Sequence, residues 1–224
     1  MNEGVRVFTA VLTGGPGGGK SDGIKYLLEE LPKRGFAVLA GRELATDLFT
    51  RGFNIAPVMN DPVLNRECQR QMIKTKLAMQ KQMRDFARLN PAPLITDFKV
   101  LLLDRGTLDD RVYMPPADFQ KILDEESWTI ESLGEEYDGV YHMTSAALGA
   151  EEAYEKARAN NPARRESAEE AREVERRTRL AWAGHSQLRI IENIYGARVI
   201  SFEKKLKILL DHTLTMIGMR GGLD

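Results

Sequence analysis

The residues with the clearest chemical meaning form a glycine-rich segment that ends in a lysine and a serine. Residues 14–21 read Gly-Gly-Pro-Gly-Gly-Gly-Lys-Ser, with four residues between the first glycine and the last. Glycines let consecutive backbone N–H groups turn towards phosphate oxygens. A lysine and a hydroxyl at these positions reach the β- and γ-phosphates and Mg²⁺, respectively. The pattern predicts a site for a nucleoside triphosphate and magnesium, made by Gly14, Gly15, Gly17, Gly18, Gly19, Lys20 and Ser21.

The sequence on either side of this loop supports the prediction. The apolar run Val5–Leu12 predicts a buried strand before the loop, and apolar residues at helical spacing predict a helix from about Lys20 to Leu31 after it. A glycine-rich turn that arose by chance would lack both elements. Asp22 is a departure, because such loops commonly carry Thr or Ser there. Its carboxylate is expected to repel the α-phosphate unless it faces away or helps to hold water on Mg²⁺.

An acidic residue follows the most apolar strand of the sequence. Asp104-Arg105-Gly106 comes directly after Val100–Leu103, and ligands of open α/β sheets bind at the carboxyl ends of strands. Asp104 is expected to hold Mg²⁺ through a water, and Arg105 to clamp a phosphate or a substrate. In the alternative, Asp104 caps a turn and Arg105 lies on the surface. Asp97 is a competing carboxylate, but it does not follow four consecutive apolar residues.

Other side chains are candidates for a substrate pocket. Glu43 follows the second predicted strand, where a carboxylate could orient an attacking hydroxyl or take its proton. It could equally be an exposed glutamate in the first turn of a helix. Asp109, Asp110 and Tyr113 follow the Asp-Arg-Gly motif. They are expected to line the pocket, although at least one of the two aspartates is expected to be solvated.

The most charged segment of the chain has two interpretations. Arg158, Arg164 and Arg165 flank an Asn-Asn-Pro sequence within the segment 151–180. A basic loop between two helices is suited to closing over phosphates as a lid, where Arg164 and Arg165 would supply charge during phosphoryl transfer. The alternative is a solvated, charged helical hairpin.

The elements that must position these residues alternate between strands and helices. A long helix is predicted over Pro62–Arg88, and an amphipathic helix closes the chain. Alternation of this kind implies an α/β domain with a mainly parallel sheet and helices on both faces. We expect a single domain over residues 1–224, with a helical lid inserted at 151–180. The strands predicted after the first are Phe36–Ala40, Val100–Leu103, Tyr137–Met143 and Ala197–Phe202.

Composition narrows the class of protein. The chain has 224 residues, a net charge of -1 and one cysteine. The balanced charge gives no clear signal for nucleic-acid binding, and a single cysteine cannot form an internal disulfide. No apolar run reaches the length of a transmembrane helix, and the N-terminus lacks the basic start of a signal peptide. These features predict a cytoplasmic protein and leave its oligomeric state open.

Several stretches together resemble the P-loop NTPases related to the nicotinamide riboside kinase domain and to the TRPL translocation defect protein, which are AAA-type ATPase-like domains. Departures from that family's pattern are Asp22, Ser186 and Glu192. The stretches that carry the resemblance are Leu12–Ser21, Glu43–Thr46, Leu103–Gly106 with Asp109 and Tyr113, Tyr137–His142, Asn161 with Arg164–Glu170, Ala181–His185, and Ile191–Asn193 with Phe202.

The resemblance implies a three-layer P-loop NTPase sandwich with five parallel strands in the order 2-3-1-4-5 and a helical lid inserted late. It assigns phosphate and Mg²⁺ binding to the glycine-rich loop. In that family's pattern, Asp104 and Arg105 match the acidic strand end, and Glu43 matches the position after the second strand. Together with Lys20 and the lid arginines Arg164 and Arg165, these are the residues that we expect to act in the reaction.

Two classes of function fit these predictions. The first is an ATP-dependent kinase that phosphorylates a small hydroxylated, nucleoside-like molecule, with GTP as a possible donor. The second is a regulatory ATPase or GTPase whose nucleotide state controls a protein or lipid partner. Asp22 motivates a third and weaker alternative, a nucleotide-binding protein with little catalysis. Fold alone does not decide among them.

Overall fold

The structure is a computed structural model that describes residues 5–91, 98–159 and 167–221, without the side chains of residues 157 and 158. Five parallel strands form one sheet in the order β2-β3-β1-β4-β5. This order confirms the α/β fold class of a P-loop NTPase. The strands of the sheet are β1 (Arg6–Thr13), β2 (Ala37–Gly41), β3 (Phe98–Asp104), β4 (Gly139–Met143) and β5 (Leu188–Ile191).

Helices cover both faces of the sheet, and 3-10 turns lie at Pro32–Arg34 and Thr107–Tyr113. None of the helices in the described ranges is long and apolar enough to cross a membrane. The helices are α1 (Lys20–Glu30), α2 (Leu44–Thr50), α3 (Ile55–Met59), α4 (Pro62–Leu89), α5 (Pro116–Glu126), α6 (Ile130–Gly134), α7 (Glu151–Ala159), α8 (Ala168–Trp182) and α9 (Phe202–Met219).

The strand β3 shows how the sequence builds two cores. Its apolar residues are all buried, because strand side chains alternate between two covered faces. Val100 and Leu102 pack on the side of α1 and α9, whereas Leu101 and Leu103 pack on the side of α4, α5 and α8. The sheet is therefore a central layer covered on both faces, and the ends of its strands hold the candidate site.

The position predicted for the fifth strand is wrong. Strand β5 is Leu188–Ile191, whereas the segment predicted as a strand, 197–202, contributes only β7 (Arg198–Val199). β7 pairs antiparallel with β6 (Ile194–Tyr195) in a small hairpin outside the main sheet. β5 lies at the edge of the sheet and is mostly half-buried. It therefore tolerates the polar residue Arg189, which weakens the apolar signal of the strand.

The charged segment 151–180 contains α7, most of α8 and residues that lie outside the described ranges. α8 packs against the 3-10 turn Thr107–Tyr113, and one of its faces is buried. The alternative interpretation, a solvated helical hairpin, is therefore wrong for α8. The predicted lid arginines, Arg164 and Arg165, fall outside the described residues, so their role stays a prediction.

Candidate active site

The glycine-rich loop lies at the carboxyl ends of β1 and β4. The conformation at Gly14 explains why the position needs glycine: its φ is 128°, and a Cβ atom there would lie 2.2 Å from the carbonyl oxygen of Met143. Gly19 also has a positive φ and is the N-cap residue of α1. The backbone N–H groups at the start of α1 have no intrahelical partners, which makes this end of the helix suitable for an anion.

Lys20 lies folded over the loop. Its Nζ atom donates to the carbonyl oxygens of Gly14 (3.0 Å) and Gly15 (3.1 Å). Burial and the nearby Arg105 lower the pKa of Lys20 to about 8, against the opposing effect of Asp104. The amine therefore lies at the loop, where hydrogen bonds to phosphate oxygens can replace its hydrogen bonds to the carbonyl oxygens.

Ser21 and Asp104 lie next to each other and bring two oxygen-bearing side chains together. The Ser21 hydroxyl donates to Asp104 Oδ2 at 3.3 Å. The other carboxylate oxygen, Oδ1, is buried and has no hydrogen-bond partner among the described residues. Burial raises the pKa of Asp104, partly offset by Lys20. A buried oxygen that lacks a partner beside a serine hydroxyl fits Mg²⁺, which prefers oxygen ligands and retains several waters.

Arg105 holds Glu43 beside the loop. The backbone of Arg105 is left-handed, with φ 65°, a strained conformation for a residue other than glycine. Its Nε atom donates to Glu43 Oε1 at 2.5 Å, and Nη1 donates to the carbonyl oxygen of Gly14 at 3.4 Å. Glu43 Oε2 accepts from the Thr46 hydroxyl at 2.7 Å. Glu43 is thus neither isolated nor free to rotate.

These contacts decide the protonation state of Glu43. Burial works to raise the pKa of the carboxyl, but Arg105, the Thr46 hydroxyl and Lys20 together hold it below its usual value. An ionised carboxylate with a lowered pKa is a weak proton acceptor. The arrangement therefore favours Glu43 as a group that orients a hydroxyl rather than one that removes its proton.

Asp109 and Asp110 differ in position and partners. Asp109 is fully buried and accepts from the Thr13 hydroxyl (2.5 Å) and the Gly106 N–H (2.7 Å), so it fixes the turn after β3. A cavity between α2, α3 and α4 is lined by Asp110 but not by Asp109. Both aspartates are buried, with 0% and 2% exposure, so the prediction that at least one is solvated is wrong.

A cavity of about 300 Å³ lies between α2, α3, α4 and the turn Thr107–Tyr113. Glu43, Arg105 and Tyr113 line it, so the structure brings together these three residues of the predicted pocket. Lys76 Nζ reaches both carboxylate oxygens of Asp110 at 2.8 and 2.9 Å in the same wall. Arg105 also contacts the carbonyl oxygen of Gly14. The cavity therefore adjoins the glycine-rich loop of residues 14–21 (the phosphate loop).

A comparison with protein families gives a match that agrees with this geometry. The model of the AAA domain family matches residues 9–195. The chain belongs to the AAA domain family. No curated protein matches it. Within an AAA-type P-loop domain, the glycine-rich loop is the nucleotide-binding element, and the activity class is nucleotide hydrolysis or phosphoryl transfer.

The AAA domain holds its phosphate loop through residues that the sequence analysis missed. Glu175 on α8 is buried, and its Oε2 atom accepts from the N–H groups of Gly15 (2.8 Å) and Ser145 (3.1 Å). Its Oε1 atom lies 2.5 Å from Nε2 of His142 on β4. Burial works to raise the pKa of Glu175, but hydrogen bonds from these three partners hold it below its usual value.

A weak signal for Glu175 exists in the sequence. It shares a stripe at helical spacing with Ala171, Thr178 and Trp182, and all four are buried. A glutamate in a stripe of small and apolar residues differs from the other charges of α8. The signal is hard to see because the segment holds many other glutamates.

Lys205 holds the opposite side of the loop. From α9 it donates to the carbonyl oxygens of Gly18 (3.2 Å) and Thr144 (2.5 Å) and to Asn193 Oδ1 (2.8 Å). Burial lowers its pKa to about 8, against the opposing effect of Glu175. The phosphate loop is therefore fixed from both sides by buried, hydrogen-bonded charges.

Asp22 is exposed in the first turn of α1. This position agrees with a carboxylate that faces away from the loop. Its effect on nucleotide affinity stays a prediction.

Proposed function

We propose that this AAA domain is an ATP- and magnesium-dependent phosphotransferase that phosphorylates a small hydroxylated molecule, such as a nucleoside. The observation that carries the proposal is the cavity lined by Glu43, Arg105 and Tyr113. Arg105 also contacts the carbonyl of Gly14, so the cavity adjoins the phosphate loop. An acceptor in the cavity would have its hydroxyl close to a γ-phosphate, and positioning of this kind supplies most of the catalysis in phosphoryl transfer.

Each residue of the site has a separate role in the proposed reaction. The acceptor hydroxyl oxygen forms a bond to the γ-phosphorus, and the bond from that phosphorus to the bridging oxygen of ADP breaks. The hydroxyl proton passes to water. Lys20 and Arg105 stabilise negative charge on the transferring group. Glu43 orients the acceptor, because each carboxylate oxygen keeps a second lone pair beyond its contact with Arg105 or Thr46.

Magnesium would be held by Ser21 and, directly or through water, by Asp104. When bound, it neutralises charge on the phosphate oxygens. Arg164 and Arg165 of the predicted lid would add positive charge once a nucleotide is present. The resemblance to the nicotinamide riboside kinase domain supports a kinase, and GTP is an alternative donor.

Release of ADP from ATP, measured with and without candidate acceptors, tests the proposal. We expect nucleosides to stimulate ADP release roughly tenfold or more, since a well-placed hydroxyl competes effectively with water. The phosphorylated acceptor should appear in amounts equal to the ADP. Lys20→Ala is the control, because it removes the charge at the β- and γ-phosphates and should abolish the stimulation.

Slow hydrolysis that no acceptor stimulates would contradict the kinase. It would instead support the second candidate, a regulatory NTPase. The same assay with GTP decides the donor, since the preferred nucleotide should give the higher kcat/KM.

A further inference from the structure

The cavity beside Glu43 has an apolar half. Phe49 and Phe53 line it with their rings nearly parallel, at 12° and with centroids 6.4 Å apart. Ile55, Met59 and Met72 extend this surface along α3 and α4. Such a surface suits a flat apolar group, because aromatic and methionine side chains make favourable contacts with ring faces and edges.

The same surface is partly exposed to solvent. Phe49, Phe53 and Met59 are 43%, 40% and 41% exposed, and Val63 and Leu64 lie nearby in the sequence with still higher exposure. Exposed apolar side chains that gather at the mouth of a cavity mark a binding site more often than scattered ones do. A ligand that covers the two phenylalanine rings would remove this apolar area from water.

Every charged side chain that lines the cavity has a partner in the wall. The four charged lining residues are two acids and two bases. Glu43 pairs with Arg105, and Asp110 pairs with Lys76. The wall thus offers no unpaired charge to a ligand. A charged ligand would lose hydration without gaining an opposite charge, which is costly in a partly buried site.

We infer that the cavity binds an uncharged acceptor that has a flat, apolar body and carries its hydroxyl at the end nearest Glu43 and Arg105. This inference rests on the proposed function for its use of the hydroxyl, but the binding event is separate. Nucleosides meet the description through the flat faces of their bases, which stack on aromatic rings. Nucleoside monophosphates fail it by charge, and simple sugars fail it by lacking the flat body.

The lone cysteine of the chain provides a direct measure of binding in the cavity. Cys68 is half-buried and lines the cavity. Its alkylation by N-ethylmaleimide can be followed by mass spectrometry in the presence of magnesium and a non-hydrolysable ATP analogue. We expect adenosine, guanosine, cytidine or uridine to slow the alkylation, whereas ribose and the four 5′-monophosphates leave the rate unchanged. This readout needs no turnover.

A matched pair of variants assigns the effect to the aromatic surface. Phe53→Ala should raise the nucleoside concentration needed for half-protection by roughly tenfold, the scale of a lost aromatic stacking contact. Phe86→Ala removes an exposed ring from α4 outside the cavity and should leave that concentration unchanged. Both variants should keep the affinity of the unmodified protein for the ATP analogue, which shows that they are folded.

The outcomes separate this inference from the proposed function. Protection by a nucleoside without phosphoryl transfer supports the inference and contradicts the kinase. Transfer to a nucleoside without protection of Cys68, and without an effect of Phe53→Ala, supports the kinase and overturns the inference. Absence of protection by all four nucleosides, or equal protection by ribose or the monophosphates, also overturns it.

Discussion

At the scale of single residues, Lys20 is held by the loop that a nucleotide would occupy. Its amine contacts the carbonyls of Gly14 and Gly15 and must leave them to bind phosphate. A charge-assisted contact contributes roughly 1.5–3 kcal/mol, so Lys20→Ala should weaken triphosphate binding by about tenfold to a hundredfold. Calorimetry measures the change. Lys25→Ala, an exposed lysine on the same helix, is the control and should bind normally. Unchanged affinity in folded Lys20→Ala protein would refute the role.

The pKa of Lys20 also predicts how the affinity for the triphosphate depends on pH. The pKa of Lys20 in the free protein is about 8, and bound phosphates raise it because they favour the charged amine. Below pH 8 the amine is already charged and the affinity is flat. Above pH 8 binding must take up a proton, so the affinity falls by up to about tenfold per pH unit. Titrations between about pH 7 and about pH 9.5 give this profile.

Lys20→Arg separates this effect from that of Lys205, whose pKa is also about 8. A guanidinium stays charged throughout this range, so the Lys20→Arg profile should lose the dependence on the amine at position 20. Any slope that remains in this variant comes from other groups, among them Lys205. A profile identical to that of the unmodified protein would assign the whole dependence to groups other than Lys20.

At the scale of elements, the connection between α8 and the phosphate loop depends on Glu175. Glu175→Ala leaves the N–H groups of Gly15 and Ser145 buried without their acceptor. An unsatisfied buried donor costs about 1–3 kcal/mol, so the free energy of unfolding should fall by at least that amount in urea titrations. Glu173→Ala is the matched control on the same helix. Its carboxylate is exposed and pairs with arginines in solvent, where pairs contribute about 0–1 kcal/mol. Equal losses in the two variants would contradict the role of Glu175.

The elements differ in how readily the sequence reveals them. β1, β3 and α4 are long or strongly apolar, so periodicity alone predicts them, and the glycine pattern places the phosphate loop between β1 and α1. β5 is short, lies at the sheet edge and carries Arg189, so Ala197–Phe202 gives a stronger but misleading apolar signal. The roles of Glu175 and Lys205 depend on contacts between residues far apart in the chain, which local patterns do not encode.

The predicted lid belongs to this scale as well. Arg164 and Arg165 lie between α7 and α8 in the sequence, and α8 is joined to the phosphate loop through Glu175. If these arginines stabilise charge during transfer, Arg164→Ala with Arg165→Ala should lower the rate of phosphoryl transfer by roughly tenfold or more. The affinity for triphosphate should change only a few-fold, because the contacts strengthen in the transition state. Single-turnover measurements give the transfer rate, and calorimetry gives the affinity. Full activity in the double variant would contradict a catalytic role for Arg164 and Arg165.

At the scale of the whole molecule, the nucleotide site is part of the unit that folds. β1 leads into the phosphate loop, β3 ends at Asp104, and β4 adjoins the loop through Met143. A ligand that contacts all three strand ends binds the folded chain but not the unfolded chain. At a free nucleotide concentration of about 100 times Kd, such binding raises the free energy of unfolding by about 2.7 kcal/mol.

Magnesium should be required for most of this stabilisation. Asp104 Oδ1 is buried without a partner among the described residues, and near the phosphates a metal ion would relieve the repulsion between this carboxylate and the nucleotide. Urea titrations with ATP should therefore show a large rise in stability with magnesium and a small one with a chelator. Asp104→Asn should reduce the difference between the two conditions, whereas Asp124→Asn, an exposed aspartate on α5, should preserve it. An equal rise in stability with and without magnesium in the unmodified protein would contradict the role of Asp104 in binding the metal. The stabilisation would then come from the contacts of the nucleotide with the phosphate loop.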